Sequence, residues 1–103
     1  MLDENTAKAI VVDFLATLPR RDRHDRWVVS RVEDCGDFWL FHWTTHRNLP
    51  PRNLKVALAG NYPIGVRKSD GVACIWTMLF PFEQFADKLV HHPEQLPQLP
   101  KKE

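Results

Sequence analysis

His42 and His46 stand four residues apart, the spacing that lets two imidazoles on one helix face share a metal ion. The residues around them, Phe-Trp-Leu-Phe-His-Trp-Thr-Thr, are aromatic and β-branched and favour a strand instead. At about 3.3 Å per residue, four strand steps separate the two rings by about 13 Å, too far for one ion. His91 and His92 are adjacent near the end of a helical pattern, where imidazoles interact with the last carbonyls rather than with a metal. Cys35 and Cys74 are the only thiols. Neither lies at a helix start or in a basic cluster that would generate a thiolate, so both read as free, reduced residues and not as nucleophiles. Gly60, Gly65 and Gly71 lack the spacing of a phosphate-binding loop, and no helix follows them directly. Glu33, Asp34 and Asp37 crowd a turn, the usual place of solvated carboxylates. The residues therefore point to no catalytic group, no metal site and no cofactor, and to a protein that is not an enzyme.

The aromatic residues are more informative. Four tryptophans occur in 103 residues. In a strand over residues 38–45, Trp39, Phe41 and Trp43 face one way and Phe38, Leu40 and His42 the other. Trp27 falls on the preceding strand and Trp76 at the end of the last. Most of these rings fill a core. With helices on only one face of the sheet not all four can be hidden, and tryptophan is a favoured anchor in protein interfaces. The basic run Arg20-Arg21-Asp22-Arg23-His24-Asp25-Arg26 contains four arginines, but aspartates interrupt it and no aromatic residue inside it can stack on a base. It reads as a solvated loop.

These residues must be carried by a small set of elements. Ile10, Val11, Phe14, Leu15 and Leu18 recur at helical spacing, Asp3 or Asn5 can cap that helix, and Pro19 ends it. Strands are predicted over residues 27–33 and 38–45, joined by Asp34-Cys35-Gly36-Asp37 as a hairpin. Asn48-Leu49-Pro50-Pro51-Arg52-Asn53 is a loop. Strands over residues 62–67 and 72–77 form a second hairpin through Lys68-Ser69-Asp70-Gly71. A final helix starts at Pro81, with Phe82, Phe85, Ala86 and Leu89 facing inward, and ends near His91-His92-Pro93. The fold class is α+β: a small antiparallel sheet of about four strands in two hairpins, with an N-terminal and a C-terminal helix packed on it. Residues 1–93 form a single domain. Residues 94–103, with Pro97, Pro100, Lys101 and Lys102, read as a flexible proline-rich tail.

Bulk properties agree. The chain is 44% apolar and 26% charged, values of a globular domain. A net charge of +1 gives no field that would draw it onto nucleic acid or an anionic membrane. No apolar run reaches the length of a membrane span or a signal peptide, and two cysteines are too few for a disulfide framework. A cytoplasmic protein with neither nucleic-acid nor membrane partners is expected. Nothing in the sequence sets its oligomeric state.

Residues 58–76 carry the most distinctive pattern. Leu58-Ala59-Gly60-Asn61-Tyr62-Pro63-Ile64 leads into a strand, then Lys68-Ser69-Asp70-Gly71, then a second strand. With Trp39-Leu40-Phe41 before it and Pro81-Phe82-Glu83-Gln84-Phe85 after it, the series resembles the immunity protein 35 family of bacterial polymorphic-toxin systems. The resemblance covers roughly residues 6–90. It implies a small cytoplasmic α+β protein without a catalytic motif that binds and neutralises a cognate toxin by occluding its active site. Gly60, Asn61, Pro63 and Gly71 read as residues that preserve turn shape. The basic run and the Pro50-Pro51 loop depart from the family pattern, and partner contacts are expected on such variable surface. The expected contact set is Trp39, His42, Trp43, His46 and Arg47, with Arg21 and Arg23. The alternative is a chaperone-like or housekeeping protein-binding module of the same fold, whose exposed aromatics hold unfolded clients.

Overall fold

A computed structural model describes residues 1–18, 26–45, 62–77 and 81–99. Helix α1, Glu4–Leu15, begins where Asp3 accepts a hydrogen bond from the Thr6 amide at 2.8 Å, and Glu4 adds negative charge to its first turn. Ala7, Val11 and Leu15, spaced four apart, are its buried stripe. Ile10 and Phe14 flank that stripe half-buried. The helix ends in a turn in which the Thr17 amide and hydroxyl both donate to the Phe14 carbonyl.

The sheet is antiparallel throughout, in the order β1 (Trp27–Asp34), β2 (Phe38–Thr45), β3 (Ile64–Arg67), β4 (Ala73–Ile75). The first hairpin closes as its sequence predicts. Gly36 takes φ of 87°, and the Asp34 carboxylate accepts the Gly36 amide. The second closes at Gly71, φ 79°, where the Gly71 amide donates to the Arg67 carbonyl and Asp70 accepts the Val72 amide. Strands β3 and β4 are shorter than the expected 62–67 and 72–77. Pro63 has no N–H for the ladder, although its carbonyl still accepts from Trp76 at 2.9 Å.

The helices lie on opposite faces of the sheet. Against α1 pack Phe41, Ile64, Val66 and Ala73, with Trp27, Trp39 and Trp43 around them. On the other face, helix α2 (Phe82–His91) packs Phe85 and Leu89 against Phe38, Leu40 and Cys74, with Phe82 and Trp76 at the margin. Phe38 and Leu40 of β2 thus meet α2, and Trp39, Phe41 and Trp43 lie on the α1 side, as strand alternation requires. The expectation that helices on one face would leave tryptophans uncovered is corrected: each face has its own helix. All four tryptophans are partly buried.

Gly65 allows this arrangement. A Cβ at that position would lie 2.5 Å from Leu89 Cδ2 and 3.1 Å from Phe85 Cζ, so only glycine lets α2 approach β3 so closely. Pro81 sits just ahead of α2, its carbonyl accepting from Gln84 and Phe85.

Residues 94–99, expected as part of a flexible proline-rich tail, are placed against the domain. Pro93–Gln95 forms a short 3-10 turn, Leu96 is buried, and the chain then runs antiparallel to β4. The Ile75 amide donates to the Pro97 carbonyl at 2.8 Å, and the Leu99 amide to the Ala73 carbonyl at 3.0 Å. The prolines argued for a loose tail, yet an edge strand needs donors only on its paired side, and Leu99 supplies one. The opposite end of the chain is fastened as well: the Leu2 amide donates to the Lys68 carbonyl, and the Leu2 carbonyl accepts from the Trp39 indole.

Candidate functional site

Of the seven residues expected to meet a partner, the structure describes Trp39, His42 and Trp43. Arg21, Arg23, His46 and Arg47 lie outside the described residues, as do the Pro50-Pro51 loop and the Leu58–Asn61 part of the motif. The three described residues do not form one surface. Trp39 and Trp43 are on the α1 face and His42 is on the α2 face, because successive residues of a strand alternate.

Each tryptophan of β2 makes an internal contact through its polar edge. Trp39 Nε1 donates to the Leu2 carbonyl at 3.1 Å, and the Lys68 ammonium lies 4.3 Å from the centroid of its ring. Lys68 also reaches Asp34 Oδ1 at 2.6 Å, so it joins the two hairpin turns over the indole. This pairing and the Gly36 amide hold the Asp34 carboxyl below its usual pKa. Trp43 Nε1 donates to the Tyr62 carbonyl at 2.7 Å, and its ring meets Trp27 edge-to-face at 5.2 Å. Trp76 stacks within the Phe82 and Phe85 group.

His42 belongs to a different group. On the α2 face the packed cluster takes Phe38 and Leu40 from β2 but no residue of β1. Beside it, Glu33 Oε1 meets both Arg31 Nη2, at 3.0 Å, and His42 Nε2, at 3.1 Å. The imidazole and the carboxylate are about one-third exposed, and the guanidinium is 69% exposed. A shift of register between Val29 and Arg31 brings Arg31 opposite His42. The trio is a small polar patch with one oxygen shared by two donors. It retains guanidinium N–H groups and a second carboxylate oxygen for directional hydrogen bonds to another molecule.

The sequence does not single out Arg31, and it marks Glu33 only as one of three solvated carboxylates at the hairpin turn. The available signal was their i, i+2 spacing on β1, which places both charges on one face. Their position beside His42 depends on the irregularity after Val29, which has no glycine to mark it.

The thiols are disposed against nucleophilic chemistry. Burial pushes the Cys74 thiol up to about 11. Burial, with Glu33 and Asp34 adding to it, also raises Cys35. Among the described residues no three His, Cys, Asp or Glu side chains are grouped to hold a metal ion, and no helix is long and apolar enough to cross a membrane.

The chain matches no family model, no curated protein and no solved structure.

Proposed function

We propose that this chain is an immunity protein: it binds a cognate bacterial toxin in the cytoplasm and blocks its active site. The reading rests on one observation, the ordered motif series from Trp39-Leu40-Phe41 through Gly60-Asn61-Tyr62-Pro63 to Asp70-Gly71 and the helix of Phe82 and Phe85. Burial raises both thiols, which speaks against a thiolate nucleophile at either. Within the described residues, the contact surface is centred on His42, Glu33 and Arg31. These groups are partly exposed and polar, whereas Trp39 and Trp43 use their indole N–H groups inside the domain.

The test is co-expression with the toxin domain encoded beside this chain, read out as survival and as a complex on gel filtration. Protection together with a co-eluting complex supports the proposal. Unchanged killing and separate elution overturn it.

A further inference from the structure

Residues 93–99 follow α2 directly and run along the outer edge of the sheet. The peptide crosses the sheet edge and places one leucine in each half of the core. Leu96 enters the cluster of Phe85, Leu89 and Cys74, and Leu99 packs beside Ile10 and Phe14 on the α1 side. Pro97 and Leu99 make the two backbone bonds to β4. Gln98, opposite Cys74, turns its amide to the Pro93 carbonyl at 3.2 Å.

Besides the two backbone bonds, the attachment rests on few groups: Lys88 Nζ donates to Gln95 Oε1 at 2.7 Å, Cys74 Sγ donates to the Pro93 carbonyl at 3.8 Å, and Leu96 is buried. Glu94, Gln95, Pro97 and Gln98 are exposed, and Leu96 is the one buried side chain of residues 94–99. What the peptide covers is considerable. β4 has only three residues, with Ala73 and Cys74 buried, and its outer edge is paired to this segment alone among the described residues. Beside that edge runs a groove of about 760 Å³, whose lining includes Ile10, Phe14, Ala73 and Leu99 and the carboxylates Asp13 and Asp70. Its size is that of a binding cleft, and its walls are apolar with two carboxylates among them.

We propose that the outer edge of β4, beside this groove, is a docking site for an extended protein segment with leucine-sized side chains three residues apart, and that residues 93–99 are its resident, displaceable occupant. Binding is by strand addition: main-chain bonds to Ala73 and Ile75 give affinity, and the two apolar side chains give specificity. The occupant's chemistry is read from the segment already seated there. This site lies on the edge opposite β1 and does not depend on the toxin reading.

Two measurements on the full chain test it. In hydrogen exchange of the native protein, the Ile75 and Leu99 amides, bonded across the peptide–β4 junction, are expected to show about 100-fold less protection than the Cys74 amide, which lies in the β3–β4 ladder opposite Gly65. Equal protection would mean that the peptide opens only with the whole domain, and overturns the proposal. In the second, a labelled synthetic peptide Pro-Glu-Gln-Leu-Pro-Gln-Leu is titrated into the wild type and into full-length Leu96→Asp/Leu99→Asp. The variant, whose own segment no longer seats, is expected to bind at least about tenfold more tightly than the wild type, where the tethered copy competes. A folded variant that binds no peptide, or binds no better than the wild type, overturns the proposal. Should circular dichroism show the variant unfolded, the exchange result on the wild type decides alone.

Discussion

Arg67 Nη1 donates to the Val90 carbonyl at 2.9 Å, so the last residue of β3 closes the final turn of α2. The same guanidinium pairs with both oxygens of Asp70 in the adjoining turn. One side chain therefore orients a helix end and a hairpin together. A fork of several N–H donors is needed for this, and lysine does not have one. Arg67→Ala should cost about 2 kcal/mol, and Arg67→Lys should recover less than half of it. Urea melts of the three proteins check this; a lysine variant as stable as the wild type would show that charge alone suffices.

The contact between Gly65 and Leu89 sets a steric limit. Gly65→Ala should destabilise the domain by about 1–3 kcal/mol, because the new methyl group would sit closer than van der Waals contact to Leu89 and Phe85. Trimming the opposing side chain should make room. In a double-mutant cycle, Gly65→Ala with Leu89→Ala is expected to cost less than the sum of the single changes. Strict additivity would remove the steric explanation.

Acid should weaken the fold through identified groups. Arg67 holds the Asp70 carboxyl below the usual aspartate value of 3.8. The Thr6 amide does the same for Asp3, and Lys68 for Asp34. A depressed folded-state pKa means that the stabilisation is present above pH 3.8 and is lost as pH falls through the lower, folded-state values. Thermal melts between pH 2 and 7 should show falling stability below about pH 4. Asp70→Asn should lower stability at pH 7 and flatten the acid limb. An unchanged acid limb would argue against the Asp70–Arg67 pair.

The two thiols should differ in reactivity. Cys35 is partly exposed at a turn, whereas Cys74 is fully buried with its pKa raised to about 11. A thiol reagent at pH 8 should label Cys35 first and leave Cys74 largely unmodified until denaturant is added. Mass spectrometry of the partly labelled protein reads this directly, and equal labelling of the two would contradict the packing over β4.

The proposed toxin contact also makes a prediction. Glu33→Arg places three basic or imidazole groups together and removes the shared acceptor. Affinity for the toxin should fall by at least about tenfold, with little loss of stability because the patch is exposed. Trp43→Phe should affect stability more than binding, since its indole N–H is bonded internally. The reverse pattern would move the contact to the tryptophan face.

The elements were legible because their signals are local. Asp3 as the α1 cap, Gly36 and Gly71 as turn residues, and the alternation along β2 each depend on residues a few positions apart. Placing the helices on opposite faces was harder, because both faces of β2 are apolar and the pattern does not say which face takes which helix. The docking of residues 94–99 was missed because composition governs such a reading, whereas Leu96 and Leu99 act through distant partners. The polar patch was half legible: His42 was named from its type, but Arg31 and Glu33 join it across the sheet.

Because the sheet separates α1 from α2, the domain has two hydrophobic compartments rather than one. Val11 and Phe41 answer to one, Phe85 and Leu40 to the other, and few side chains touch both. Volume changes in one compartment are shielded from the other by a hydrogen-bonded wall. Either half can therefore be repacked without renegotiating its neighbour, and a lineage could remodel the surface over one helix while keeping the opposite half intact.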